Sequence, residues 1–255
     1  KRFGQNFLTD QTVIQTIIHS LSLQSGQHWV EIGPGLGALT RHLLAAPIRL
    51  DVIELDRDLV AWLKQTFVNQ PQLTIHSADA LNFDFQSLSQ AKSLHIVGNL
   101  PYNISTPLLF HLLTAAEQIT EMYLMLQKEV AQRICASAGS GHYGKLSVMA
   151  QYHTQAECLF DIEAQSFDPI PKVQSTFIRL APYATLPVQV TDFKAFQAIV
   201  TQAFSQRRKT LRNTLKGYLN SEQIESLEID SQQRAENLTV AQFATLSKLW
   251  SSINR

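Results

Sequence analysis

The stretch HWVEIGPGLGALTRHLLAA, residues 28–46, decides how the fold is read. His28–Ile32 is a short, mostly apolar run with strand character. Gly33 to Gly37 interrupts it with three glycines and a proline, and Leu39–Ala46 reads as a helix behind the turn. Strand, glycine turn and helix in succession form the opening unit of a wound α/β sheet. The same alternation continues outward. Leu50–Glu54 predicts a second strand and Leu59–Asn69 a second helix. Leu73–Ser77 and His95–Gly98 follow as strands, Thr106–Ala116 as a helix, Glu121–Gln127 as a fifth strand, and Lys128–Ala136 as a helix. Residues 11–21 have helical periodicity.

Beyond the Gly/Ser-rich loop 137–144 come a helix-like Lys145–Tyr152 and two β-rich stretches near 156–162 and 173–180. Pro182 and Pro187 punctuate a boundary, and from Asp192 onward the pattern is helical. The expected organisation is an α/β domain over residues 1–182 and a small helical domain over 183–255. FKAFQAIVTQAF, RRKTLRNTLKGYL and 239–252 are the expected helices of the second domain.

Hydrophobic residues make up 45% of the 255 and charged residues 16%, the balance of a globular protein with a sizeable core. No apolar run approaches the roughly 18–20 residues that span a bilayer. Cys135 and Cys158 match no metal-ligand spacing, and no metal is expected; so little cysteine suits a reducing cytoplasm. The sequence begins at Lys1, so a preceding native stretch is expected. Formal charge is zero, but it is unevenly spread. Residues 1–171 hold 10 Lys/Arg against 15 Asp/Glu, whereas 172–218 hold 8 against Asp192 alone. A concentrated basic stretch in a neutral protein binds phosphate locally. Arg207, Arg208, Lys209, Arg212 and Lys216 fall within it, and a continuous helix would set Arg208, Arg212 and Lys216 on one face. That arrangement suits an A-form RNA backbone; a solvated charged face is the competing reading.

Acidic residues accompany the glycine turn at successive strand ends. Glu54 ends the second strand, where an acid accepts hydrogen bonds from ribose hydroxyls, and Asp79 follows the third, within reach of an adenine amino group. The G-x-G-x-G spacing with Pro34 inside lacks one backbone donor that a dinucleotide pyrophosphate would use. That loss matters less to the methionyl part of S-adenosylmethionine.

Asn99-Leu100-Pro101-Tyr102 follows the fourth strand. Methylation of adenine N6 needs two acceptors for the amine hydrogens, because the nitrogen lone pair is delocalised into the ring. The Asn99 side-chain oxygen and the Leu100 carbonyl could serve, with Pro101 stiffening the turn and Tyr102 offering a stacking face for a flipped-out base. An ordinary Asn-Pro-type turn with a core tyrosine is the bland alternative.

These residues together resemble the small-subunit (16S) ribosomal RNA adenine N6,N6-dimethyltransferases, the kasugamycin-resistance family. The likeness runs through KRFGQNFLTD (1–10), EIGPGLGALT (31–40), VIELDRDL (52–59), GNLPYNIST (98–106), LQKEVAQR (126–133), YGKLSVMAQY (143–152), FDPIPKVQS (167–175), FSQRRKTLRN (204–213) and RAENLTVAQF (234–243). It implies a Rossmann-like S-adenosylmethionine methyltransferase sheet with a small C-terminal helical domain. It implies cofactor contacts at Asn6, Leu8, Gly33, Glu54, Asp79 and Asn99, and a target-base pocket of Asn99, Tyr102 and Phe167, with Phe167 opposite Tyr102, beside the Leu100 carbonyl already singled out. Ile170 and Gln174 depart from the family pattern, where a proline and an acid are common. The implied substrate is a pair of adjacent adenosines in the 3′-terminal hairpin loop of small-subunit ribosomal RNA. The implied setting is a pre-ribosomal particle in the cytoplasm, with the free protein a monomer and no membrane involved. Three rivals stand beside this: a macrolide-resistance-type large-subunit methyltransferase, a non-catalytic assembly factor, and an NAD-dependent dehydrogenase.

Overall fold

The computed structural model describes residues 5–89 and 91–254; residues 1–4, the start of the KRFGQNFLTD stretch, lie outside the described residues. In chain order the elements are β1 (Phe7–Leu8), α1 (Gln11–Ser20), β2 (His28–Ile32), α2 (Thr40–Leu43), β3 (Arg49–Glu54), α3 (Arg57–Thr66), β4 (Leu73–Ser77), β5 (Leu94–Asn99), α4 (Ser105–Leu113) and β6 (Ile119–Gln127). They continue with α5 (Lys128–Cys135), α6 (Lys145–His153), β7 (Thr154–Ile162), β8 (Phe167–Asp168), β9 (Ser175–Pro182), α7 (Phe193–Ala203), α8 (Leu211–Thr214), α9 (Ser221–Glu225) and α10 (Val240–Ile253).

A seven-stranded sheet runs in the order β4-β3-β2-β5-β6-β9-β7. The pairs from β4 to β6 are parallel and β9 is antiparallel to β6. The α/β reading therefore holds. Strand order reverses at β2, which has β3 on one side and β5 on the other, and ligands bind at the carboxyl ends of strands flanking such a reversal. The central strands are apolar on both faces, as parallel strands covered by helices must be: Trp29, Val30, Ile32, Leu50, Val52, Ile53, Ile96 and Val97 are all buried. One face packs on α1 through Ile14 and Ile17, in a cluster with Trp29, Leu43, Tyr123 and Phe177. Asp10 sets the start of α1, its Oδ1 accepting from the amides of Thr12 and Val13 at 2.8 and 3.2 Å.

The chain divides into two compact units, residues 1–131 with 157–182, and residues 132–156 with 183–255. One change of unit falls at 182–183. Residues 132–156 join the helical unit instead of the sheet unit, because α6 packs on α7 and α10. Its core includes Val148, Tyr152, Phe196, Val200 and Phe243.

Two expected helices are shorter. α2 is a single turn, not 39–46, since Pro47 disfavours helical backbone at the residue before it. The expected helix over RRKTLRNTLKGYL is reduced to α8. Thr210 bridges to Arg234, and the amides of Leu211 and Arg212 donate to the carbonyls of Gln233 and Ser231 at 2.9 and 3.0 Å, which ties the segment to a neighbouring strand-like stretch. Arg208 consequently sits in a turn before α8, Arg212 within it and Lys216 after it, so the three do not share one helical face.

Candidate cofactor and target-base site

A pocket opens at the carboxyl ends of β2, β3 and β5, entirely within the sheet unit. Its walls include Asn6, Leu8, Gly33, Glu54, Asp79, Asn99, Leu100 and Tyr102, so eight of the expected residues converge there.

The glycine turn forms the floor. The Gly33 amide donates to the Ile53 carbonyl at 3.0 Å, and an added Cβ on Gly33 would stand 3.5 Å from the Asn99 carbonyl, so the turns after β2 and β5 lie side by side. Gly35 has φ +57°, a backbone that L side chains rarely adopt, and a Cβ there would meet the Phe7 ring at 2.9 Å. Both Glu54 oxygens are engaged: Oε2 accepts from the Gly35 amide at 3.2 Å and Oε1 from the Asp56 amide at 2.9 Å. Burial raises the Glu54 pKa, and the amides of Asp56 and Gly35 oppose that rise by stabilising the anion. Asp79 is held likewise, accepting from the Leu81 amide at 3.0 Å and from Asn82 Nδ2 at 2.9 Å.

The N-terminal segment forms one wall. β1 pairs antiparallel with β8, Phe7 opposite Asp168 and Leu8 opposite Phe167. The Thr9 amide donates to the Ser166 carbonyl at 2.9 Å, and Asn99 Nδ2 donates to the Asn6 carbonyl at 2.9 Å. With its NH2 engaged, Asn99 retains its side-chain oxygen for a ligand. The Leu100 side chain is buried and its amide donates to the Met125 carbonyl at 3.3 Å, which fixes the turn. The Tyr102 phenol is bonded to Ser175 Oγ at 2.8 Å, so its ring is held in place.

Phe167 stands apart from these eight. It does not line the pocket, and at 2% exposure it belongs to the hydrophobic core with Leu8 and Phe177. It pairs opposite Leu8, which does line the pocket. Phe7 and Glu31 are among the unanticipated residues that line the pocket. Phe7 covers the glycine turn, and Glu31 is buried within β2. Glu31 had a sequence signal, an acid inside the apolar strand His28–Ile32. Phe7 had none, since a two-residue strand has no periodicity.

The basic residues lie in the helical unit, and all five are exposed. Arg207 donates from Nη2 to the Gly141 carbonyl and stands 3.9 Å from Glu236, whereas Arg212 and Lys216 flank a shallow hollow with Tyr218 and Asn220. Among the described residues no cluster of three metal-ligating side chains occurs, and no helix is long and apolar enough to cross a membrane.

A family model described as ribosomal RNA adenine dimethylase matches residues 1–252. Ribosomal RNA small subunit methyltransferase A of Laribacter hongkongensis is 51% identical over 247 residues, covering 97% of this chain and 94% of the relative. The protein of that name from Pseudomonas aeruginosa is 51% identical over 248 residues, covering 97% and 92%. Among solved structures, a dimethyladenosine transferase from Plasmodium falciparum aligns with a TM-score of 0.82 at 25% identity over 97% of each chain. The 23S rRNA methyltransferase ErmE aligns at 0.78 and 22% identity, covering 96% of this chain and 100% of that one, a likeness of fold.

Proposed function

The chain belongs to the ribosomal RNA adenine dimethylase family, and on that footing we propose that it dimethylates N6 of two adjacent adenosines in the 3′-terminal hairpin loop of small-subunit ribosomal RNA, with S-adenosylmethionine as methyl donor. The observation that carries this reading is the composition of the pocket. Glu31, Glu54 and Asp79 line it, and among the described residues no lysine, arginine or histidine does. A dinucleotide pyrophosphate would be repelled there, whereas a donor bearing a sulfonium cation is favoured.

S-adenosylmethionine supplies an electrophilic methyl group. Glu54, at the end of β3, is placed to accept from the ribose hydroxyls, and Asp79 from the adenine amino group. Asn99 Oδ1 and the Leu100 carbonyl accept the two N6 hydrogens of the target base, which draws the amine toward a pyramidal, nucleophilic form. Tyr102 provides a fixed ring for the extruded base. The nitrogen forms its new bond to carbon as the sulfur–carbon bond breaks, and an N6 proton leaves. In-line attack of this kind depends on orientation rather than on a general acid.

Arg208, Lys209, Arg212 and Lys216 supply phosphate contacts in the helical unit, and a partly assembled subunit in the cytoplasm is the substrate particle in this reading, met by a monomer. The relatives named for the small subunit, about half identical along nearly the whole chain, favour this over the large-subunit alternative.

The test is transfer of labelled methyl from S-adenosylmethionine to unmodified small subunits, naked small-subunit RNA and large-subunit RNA. N6,N6-dimethyladenosine on unmodified small subunits alone is the expected result. Label on large-subunit RNA reassigns the substrate. No label, with S-adenosylmethionine still bound, leaves an assembly role.

A further inference from the structure

Three carboxylates line the pocket, and they are not equivalent. Glu54 and Asp79 each accept two hydrogen bonds from the surrounding loops. Glu31 instead lies inside β2, between Val52 of β3 and Val97 of β5 in register, at 2% exposure. The Thr40 hydroxyl donates to its Oε2 at 2.6 Å. Among the described residues no cation stands beside it, and a buried carboxylate without one is costly to ionise. Burial, with repulsion from Glu54, pushes the Glu31 carboxyl up to about 7 against the opposing hydrogen bonds from Thr40. Among the described residues the other titratable groups lining the pocket are Glu54 on β3, Asp79 after β4 and Tyr102 after β5, and none of them can supply positive charge.

Methyl transfer changes the charge of the occupant. The donor carries a sulfonium cation, and S-adenosylhomocysteine carries a neutral thioether. We propose that Glu31 is the specificity residue that reads this difference, ionising against the cationic donor and regaining a proton when the neutral product fills the same pocket. Donor binding then releases to solvent whatever proton Glu31 holds, and product formation takes it back. The N6 proton leaves separately, so each turnover releases one net proton per methyl. The product is held less tightly than the donor, which assists exchange between the successive methylations. The inference rests on the reading of the pocket as the S-adenosylmethionine site.

Isothermal titration calorimetry in two buffers of different ionisation enthalpy tests it, with S-adenosylmethionine and S-adenosylhomocysteine against the wild-type protein and Glu31→Gln. At pH 7 the wild type should release about half a proton with the donor and close to none with the product, since a group titrating near 7 is half protonated there. E31Q should release none with either, and its preference for donor over product should fall about tenfold, the equivalent of one pKa unit. The wild-type measurement stands even if E31Q fails to fold. Equal proton release with both ligands, or release unchanged in E31Q, overturns the inference while leaving the cofactor site intact. Failure of the wild type to bind either ligand overturns the functional reading and this inference with it.

Discussion

Asn99 Nδ2 donates to the backbone carbonyl of Asn6 at 2.9 Å, joining positions 93 apart in the chain. One amide thus fastens the N-terminal wall with its nitrogen and offers its oxygen to the target amine. The two roles are separable by substitution. Asn99→Ala should lower methyl transfer by about 10²–10³-fold, the scale of losing one preorganised polar contact, while most RNA affinity remains. Asn99→Asp keeps acceptor oxygens but cannot donate to Asn6, so it should raise the KM for the methyl donor more than it lowers kcat. Single-turnover kinetics read both, and near-normal turnover by the alanine variant would remove Asn99 from amine activation.

Phe7 and Gly35 are the second contact between that wall and the floor. Gly35→Ala places a methyl 2.9 Å from the Phe7 ring at φ +57°. A left-handed non-glycine residue costs about 1–2 kcal/mol, so donor affinity should fall about tenfold. Phe7→Ala in the same background should restore part of the loss by relieving the clash. A double-mutant cycle with equilibrium dialysis measures it; strictly additive losses would mean that the ring does not cover the turn.

The ionisation of Glu31 has a cost in stability whose sign is fixed. Its folded pKa, about 7, lies above its ordinary 4.5. Folding therefore favours the protonated form, and the stability that this group contributes is present below pH 4.5 and lost as pH rises through 7. Glu31→Gln removes the charge and keeps an acceptor for Thr40. Without bound ligand, the variant should match the wild type near pH 4.5 and exceed it by up to about 3 kcal/mol above pH 7. Urea unfolding at pH 5 and pH 8 checks this. A variant less stable than wild type at pH 8 would show that Glu31 is compensated by the fold itself.

Asp51 behaves oppositely. Burial would raise its pKa, but hydrogen bonds from His28 and His76, each 2.6 Å long, together lower it. Its contribution to stability is present above pH 3.8 and is lost as pH falls through the depressed value. His28→Leu strips one partner from a buried carboxylate and should cost about 1–3 kcal/mol with little change in kcat, because neither residue lines the pocket. Equal stability in denaturant unfolding at pH 7 would show the pair to be dispensable.

What could be read from sequence divides along physical lines. β2, the glycine turn, β3 and the Asn99 turn were legible because each is a continuous local pattern, an apolar run closed by glycine, proline or acidic residues, and the parallel sheet brings successive strand ends together. β1 with β8 was not legible, since two-residue strands are defined only by the distant partner they pair with. Resemblance supplied Asn6 and Leu8, and it also implied Phe167, which the fold buries with Leu8 and Phe177. Periodicity also failed at RRKTLRN. The spacing of its charges is helical, but backbone bonds from Leu211 and Arg212 to Gln233 and Ser231 outweigh the local preference.

That correction changes what charge reversal should do in the basic segment. A single helical face would make Arg208, Arg212 and Lys216 one contact surface, lost together. In a turn, a one-turn helix and the loop after it, they are separate exposed groups. Each phosphate contact removed should lower the slope of log K against log salt by about 0.7–0.9. Arg208→Glu and Arg212→Glu should therefore act independently on RNA affinity, with additive slopes and little effect on melting. Arg207→Ala should differ, because its guanidinium is bonded to the Gly141 carbonyl within the helical unit. Its loss should lower the stability of that unit and change the salt slope least. Binding of a small-subunit RNA fragment across a salt series, with melting curves for each variant, measures both quantities. Unchanged slopes for Arg208→Glu and Arg212→Glu would mean that those side chains face solvent only, and that the RNA is held elsewhere.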